Sequence, residues 1–402
     1  MRRTSIDARC RDIGWSFFSV RFSVFSVSPF VNPRSLRKLR YLYTRGTLRC
    51  HVIRVALIGY GYAGRTFHAP LIRATHGLEL VLVNSRNAQQ VHADLPDVPV
   101  VSSATDVYVN PLVDLVVIAT PNDTHVAIAT AAIRAGKHVV VEKPFAPTID
   151  EARDLMALAH RTGRVLAVFH NRRWDGDFLA LRDLISRSVL GDVTHFESHF
   201  DRYRPQVRVR WREQPGAGSG LWYDLGPHLV DQSLQLFGLP NCVLASLAAQ
   251  RPGAQTDDWA HVLLDYGRLQ VILHVSLLVA ARLPRFIVHG QIASWVKYGF
   301  DPQERQLIAA LRRGDDGGDE REHAMYIDAV TGSHNETPIR HGDYGQFYTQ
   351  LRDALNGAGP NPVPPAQALA VTAVVETAVR SSAERRAVPL PLTVSEARDF
   401  AT

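Results

Sequence analysis

Beyond residue 52 the chain alternates short apolar runs with more mixed stretches, and their order predicts its elements. Val52-Ile53-Arg54-Val55-Ala56-Leu57-Ile58 is a β-branched run that reads as a first strand, with Arg65 to Thr75 as the helix behind it. Further strands are predicted at Leu78–Val83, Val98–Val101, Leu115–Ala119, His138–Val141 and Val165–Phe169. Helices fall at Thr124–Ala135, closed by Gly136, and at Ile149–Thr162, stopped by Gly163. Strands and helices in this order imply an α/β domain with a doubly wound parallel sheet of Rossmann type.

The rhythm changes after Asn171. A helix from Asp177 to about Ser186 leads into strand-like stretches at Val193–Phe200, Val243–Ala249, Trp259–Asp265, Leu269–Val279, Phe286–His289 and Ser294–Tyr298, some joined by hairpin punctuation such as Asp265-Tyr266-Gly267. A helix starting near Leu221 interrupts them. A Gly/Asp-rich loop at Gly314–Gly318, a connector at Asn356–Pro365 and a helix at Ala366–Arg385 complete the pattern. Consecutive strands of this kind imply a second, α+β domain with a mostly antiparallel sheet. The expected division is 52–171 for the first domain and 172–402 for the second, without internal repeats.

Length supports that division, since 402 residues exceed one ordinary core. At 46% hydrophobic and 21% charged residues the composition is that of a soluble globular protein. The net charge of +6 is unevenly placed: residues 1–50 hold 11 of the 45 basic and 2 of the 39 acidic side chains, leaving 34 against 37 beyond them. The body is therefore mildly acidic, and no nucleic-acid partner is expected. No apolar run approaches the roughly 18 residues of a membrane span, so none is expected. Of Cys10, Cys50 and Cys242 only the last lies in the body, which supports no disulfide framework and fits a cytoplasmic protein.

Residues 1–51 differ from the rest. Ser alternates with Phe or Val from Ser16 to Phe25, interrupted by Arg21, and Pro29 follows. The segment lacks the apolar core of a secretory signal, while its Arg- and Ser-rich, acid-poor composition is like that of an organellar transit peptide. The next methionine after Met1 is Met156, inside the expected fold. The favoured expectation is a non-domain extension from a mis-assigned start, the natural chain opening near Val52 on a non-ATG codon. A targeting segment or a disordered tail is the alternative.

Candidate chemistry begins where the first strand runs into Gly59-Tyr60-Gly61-Tyr62-Ala63-Gly64, a G-x-G-x-x-G sequence followed by a helix. Gly59 would make the tight turn, Gly61 would admit a pyrophosphate and Gly64 would let the helix pack against the strand. About 20 residues on, an acidic side chain would grip an adenosine ribose; Asn84, Ser85 and Arg86 stand there instead, and suit a 2′-phosphate. The expected cofactor is NADP(H). Thr120-Pro121-Asn122-Asp123-Thr124 ends the fourth strand, serving as a capping turn, a wall beside a nicotinamide ribose, or both. Lys143, held between Glu142 and Pro144 at a strand's carboxyl end, is placed to bind a substrate hydroxyl. Asp224 and His228, four apart on a helix, share one face. Read alone they are also compatible with half of a metal site, for which no third ligand stands out, or with a structural histidine.

Taken together, Gly59–Gly64, Thr120-Pro121-Asn122 with His125, Glu142-Lys143-Pro144 and Tyr223-Asp224-Leu225-Gly226-Pro227-His228 resemble the glucose-fructose oxidoreductase / inositol dehydrogenase / rhizopine-catabolism (Gfo/Idh/MocA) family, from about Val52 to the C-terminus. His170–Asp175, Phe200–Pro205 and Arg210–Glu213 resemble its NADP-dependent scyllo-inositol dehydrogenase branch. The resemblance implies that His228 accepts the substrate hydroxyl proton, Asp224 orients the substrate or the imidazole, and Lys143 completes the triad. Cofactor contacts are expected from Gly59, Gly61, Tyr62, Ala63, Gly64, Ser85, Arg86, Thr120, Pro121, Asn122, His125, Glu142 and Lys143. Weaker candidates for substrate contact are Asn171, Tyr203, Arg210 and Trp211, the last three on the run from Arg202 to Trp211, which also carries Arg208 and reads as a lid or a solvated loop. The implied reaction is hydride transfer between NADP(H) and a ring hydroxyl carbon of a polyol such as scyllo-inositol. Another sugar, a dihydrodiol, or a non-catalytic NADP-binding regulator are the alternatives. A small-molecule polyol or sugar partner and a homo-oligomer through the C-terminal sheet are expected.

Overall fold

The computed structural model describes residues 52–208, 210–313 and 322–401. The expectations for residues 1–51 and for the 314–318 loop lie outside the described residues. Six parallel strands form the first sheet: β1 (Ile53–Ile58), β2 (Leu78–Asn84), β3 (Val100–Val101), β4 (Leu115–Ile118), β5 (His138–Val141) and β6 (Leu166–Val168), in the order β3-β2-β1-β4-β5-β6. The central strands are apolar throughout because both faces are covered; Leu115 to Ile118 are wholly buried. Between them lie α1 (Ala69–Ala74), α2 (Ala88–Asp94), α3 (Ala104–Val109), α4 (His125–Arg134) and α5 (Ile149–Thr162). Helix α5 follows its local rules, with Thr148 accepting from the Glu151 N–H and Gly163 left-handed after it. The helix expected from Arg65 begins instead as a π-helical turn, Gly64–His68, before α1.

The rest of the chain adds α6 (Gly176–Ser186), β7 (Val193–Asp201), α7 (Leu221–Phe237), β8 (Cys242–Ala248), β9 (Trp259–Asp265), β10 (Gln270–Ser276), β11 (Pro284–Gly290), β12 (Ala293–Tyr298), α8 (Gln303–Arg313), β13 (Glu322–Asp328), β14 (His334–Ile339), α9 (Gly345–Leu355), α10 (Pro365–Glu384) and α11 (Val394–Phe400). The eight-stranded sheet runs β14-β13-β12-β11-β7-β10-β9-β8. Its pairs are antiparallel except β7 with β10, which the crossover through α7 makes parallel. The short α2, α3 and α11, and α8, α9, β13 and β14, were not among the expected elements. The short helices carry too few apolar positions for a period to show, whereas α9 does place Phe347, Leu351 and Leu355 four apart, a helical signal that went unread.

Two cores result. One packs the parallel sheet, and it takes in Phe347, Tyr348 and Leu351 of α9 with Tyr344 at the N-cap, so the chain returns to the first domain after finishing the second sheet. The other packs α7 and α10 on the β7–β12 face. No helix among the described residues is long and apolar enough to cross a membrane.

Candidate active site

The strand order reverses between β1 and β4, so the loops that follow them diverge and open a crevice at their carboxyl ends. Its three glycines are there for different reasons. Gly59 has φ of +97°, and a Cβ on it would lie 2.4 Å from the Ala119 carbonyl oxygen; a Cβ on Gly64 would lie 2.2 Å from the Gly59 carbonyl oxygen. The packing of the chain requires both. A Cβ on Gly61 would meet nothing within 4 Å, so the protein itself does not demand a glycine there. The open space it leaves fits a group lying against the backbone, as a dinucleotide pyrophosphate does.

The Gly59 N–H donates to the Asn84 carbonyl (3.0 Å), which sets the end of β2 beside this turn. Ser85 Oγ accepts from the Asn87 N–H at 3.1 Å. Arg86 is exposed, with no side-chain hydrogen bond or ion pair among the described residues. Across the crevice, Thr120 Oγ1 pairs with Thr124 Oγ1 at 2.6 Å, and Thr124 Oγ1 donates to the Pro121 carbonyl. Asn122 is buried and donates to the Gly218 carbonyl at 2.9 Å, tying this loop to the segment before α7. His125 is wholly buried between the Pro144 and Thr120 carbonyls, at 2.9 and 3.0 Å, where it clamps the ends of β5 and β4 together. Its position is under the crevice wall.

Glu142 and Lys143 leave β5 in opposite directions. The Glu142 carboxylate receives the His68 Nε2 contact (2.9 Å) and the Lys143 N–H (3.0 Å), while His68 Nδ1 meets the Tyr348 hydroxyl at 2.6 Å. The π-helical turn brings His68 into this chain. Lys143 Nζ donates to Asp224 twice, to its carbonyl at 2.6 Å and to Oδ1 at 3.2 Å. Helix α7 carries both remaining residues. Gly226 sits against the Trp222 ring, where a Cβ would lie 2.7 Å away, and Pro227 cannot donate to the Tyr223 carbonyl.

Lys143, Asp224 and His228 line one cavity of about 940 Å³, with Tyr62, Ala63, Glu142, Asn171 and Phe200. Burial raises the Asp224 carboxyl, but Lys143 and Arg212 outweigh that and bring it down to about 2. His228 is pushed well below its usual value, first by burial and then by the charges of Lys143 and Arg172. At neutral pH it is an uncharged imidazole, and its Nδ1 is buried with no protein partner. The arrangement supplies a proton acceptor, an ammonium and a carboxylate around one space.

The weaker candidates separate. Asn171 and Arg210 line the cavity, Arg210 paired with Glu213 at 2.7 Å. Tyr203 points away, 60% exposed and bridged to Leu278, because it alternates with its neighbours on an extended segment. Trp211 lies outside the cavity lining, its ring under the Arg212 guanidinium. Sequence reasoning passed over His68, Tyr348 and Glu304, and used Phe200 and Arg202 only within the Phe200–Pro205 resemblance, not as site residues. The first two are separated by 280 residues and nothing local connects them. The alternation of Phe200, Arg202 and Arg204 was a usable signal. No group of three or more His, Cys, Asp or Glu able to hold a metal occurs among the described residues.

Two family models match the chain. Residues 53–170 match the NAD-binding Rossmann fold of an oxidoreductase family, and residues 182–390 match that family's C-terminal alpha/beta domain. The uncharacterized oxidoreductase YdgJ of Escherichia coli (strain K12) is 53% identical over 336 residues, covering 83% of this chain and 97% of that protein. The scyllo-inositol 2-dehydrogenase (NADP(+)) IolW of Bacillus subtilis (strain 168) is 38% identical over 351 residues, covering 86% and 98%. A crystal structure from Klebsiella pneumoniae, described as that of an oxidoreductase, superposes with a TM-score of 0.81 at 49% identity, covering 87% of this chain and 98% of that one.

Proposed function

The chain belongs to the Gfo/Idh/MocA oxidoreductase family, and from that premise we propose that it transfers a hydride between NADP(H) and a ring hydroxyl carbon of a polyol such as scyllo-inositol. The observation that carries the reading is the convergence of Lys143, Asp224 and a neutral, partly unpartnered His228 on the cavity that Tyr62 and Ala63 of the glycine turn also line. A bound NADP would supply the hydride acceptor, the C4 of its nicotinamide, beside the glycine turn. His228 takes the hydroxyl proton as the carbon–hydrogen bond breaks and the carbonyl forms. The Lys143 ammonium holds the hydroxyl oxygen and stabilises its developing charge, and Asp224 keeps that ammonium in place from 3.2 Å.

NADP(H) over NAD(H) is supported by the exposed, unpaired Arg86 beside the glycine turn and by the cofactor named for the Bacillus relative. The helix-free face of the second sheet, with Leu244 43% exposed and Leu263 and Ile272 half-buried, supports a homo-oligomer meeting through that sheet, and the free Cys242 fits a cytoplasmic protein. A panel of inositol isomers and sugars, each assayed for NADPH formation from NADP, tests the reading. NADPH formation with at least one ring polyol is expected, and none with any member would refute it.

A further inference from the structure

Beyond its last ladder position, β7 continues as an extended segment along the chain that follows β10. The Arg202 N–H donates to the Ser276 carbonyl at 2.9 Å, the Arg204 N–H to the Leu277 carbonyl at 2.7 Å, and the Val279 N–H to the Arg202 carbonyl at 3.2 Å. Period-two alternation therefore sets Phe200, Arg202 and Arg204 on one face, and that face lines the cavity of Lys143 and His228. The backbone is ladder-bound, so the two guanidinium groups are presented from a fixed support.

The cavity is cationic. Eight arginines line it against five carboxylates, and the described carboxylates nearest the arginine pair have partners. Glu304 holds Arg172 at 2.8 Å and the Tyr62 hydroxyl at 2.6 Å; Asp224 holds Lys143 and Arg212, each at 3.2 Å. Arg202 and Arg204 have no side-chain hydrogen bond or ion pair among the described residues; Arg202 instead lies over the Phe200 ring, 5.0 Å from its centroid. Burial and then the neighbouring arginine charges bring both guanidinium groups below their ordinary values, outweighing the more distant attraction of Glu304 and Asp224 on Arg202 and of Asp224 and Glu213 on Arg204. The same Phe200 ring stands 6.5 Å from the His228 imidazole, centroid to centroid, so this charge lies one aromatic ring away from the proton acceptor. A neutral polyol gives such a wall nothing ionic to bind. A planar guanidinium fork is matched by a carboxylate or a phosphate.

Building on the oxidoreductase reading, we propose that the polyol accepted by this cleft carries an acidic group, carboxylate or phosphate, seated against Arg202 and Arg204. The test measures kcat/KM for NADP reduction with two sets of substrates, glucose against glucuronate and glucose 6-phosphate, and myo-inositol against an inositol monophosphate. The wild type and an Arg202→Gln/Arg204→Gln variant are compared. The acidic member is expected to be preferred by the wild type, and its preference over the neutral member to fall 30-fold or more in the variant. Glucuronate against the phosphates tells which anion the site takes. A wild type that prefers every neutral member, or a variant with an unchanged preference, overturns the proposal. So does a variant whose only change is a tenfold weaker Kd for NADPH, which would assign the arginines to the cofactor's phosphates. If no member is oxidised, calorimetric titration of the same acids into NADP-loaded protein separates the two claims. Binding by the wild type but not the variant supports the anion site while the hydride-transfer reading fails; equal binding, or none, overturns the anion site.

Discussion

Substituting alanine for Gly61 and for Gly64 separates what the fold needs from what a bound dinucleotide needs. A Cβ on Gly64 would sit 2.2 Å from the Gly59 carbonyl oxygen, a backbone atom of the turn that cannot rotate aside. The turn and the following helix must move apart, at an overpacking cost of about 2–3 kcal/mol, or roughly 3–4 °C in the apo melting temperature. A Cβ on Gly61 meets no heavy atom within 4 Å, and its φ lies outside the left-handed region. Gly61→Ala should therefore leave the apo melting temperature unchanged or slightly raised, because alanine lowers the entropy of the unfolded chain. If a pyrophosphate lies against that backbone, the added methyl displaces it, and NADPH should bind about 100-fold more weakly, close to 2.7 kcal/mol. Thermal unfolding without cofactor and fluorescence titration with NADPH give the two readings. Equal destabilisation by both substitutions, or an unchanged Kd for Gly61→Ala, would refute the reasoning.

Lys143→Ala and His228→Ala should each lower turnover by about 100-fold or more while NADPH titrations still show binding; unchanged turnover in both would sink the mechanism. Because His228 must be neutral to accept a proton and is depressed below its usual value, the acid limb of kcat/KM should lie below pH 6.5, and a limb above 7 would contradict it. Arg86→Ala should weaken NADPH about tenfold or more and NADH little, whereas an equal effect on both would remove the 2′-phosphate assignment. His170, buried without a partner on either nitrogen, is lowered to about 4 by burial first. Its neutral form stabilises the fold fully above pH 6.5, and that contribution is lost as the pH falls towards 4. Urea midpoints should show the wild type losing about 3 kcal/mol more than His170→Leu between pH 7 and pH 4. Parallel loss in the two would show that His170 is not held neutral.

The local pattern was sufficient for the parallel sheet, because strands buried on both faces are apolar throughout and the glycines of the turn are adjacent in sequence. His138–Val141 and Ile149–Thr162 appear in the structure at the predicted residues, and Lys143, Asp224 and His228 were recognisable from their motifs. That they lie together was not legible in the local pattern, since the 2.6 Å contact of Lys143 with the Asp224 carbonyl spans 81 residues. Only the folded chain sent α9 back to the first core, carried Tyr348 to His68, and turned Tyr203 outward while Arg202 and Arg204 faced the cavity. A sequence records periodicity, turn chemistry and short motifs, which act over a few residues. Burial, the depression of His228 and the uncompensated charge on the cleft wall depend on residues brought together from distant parts of the chain.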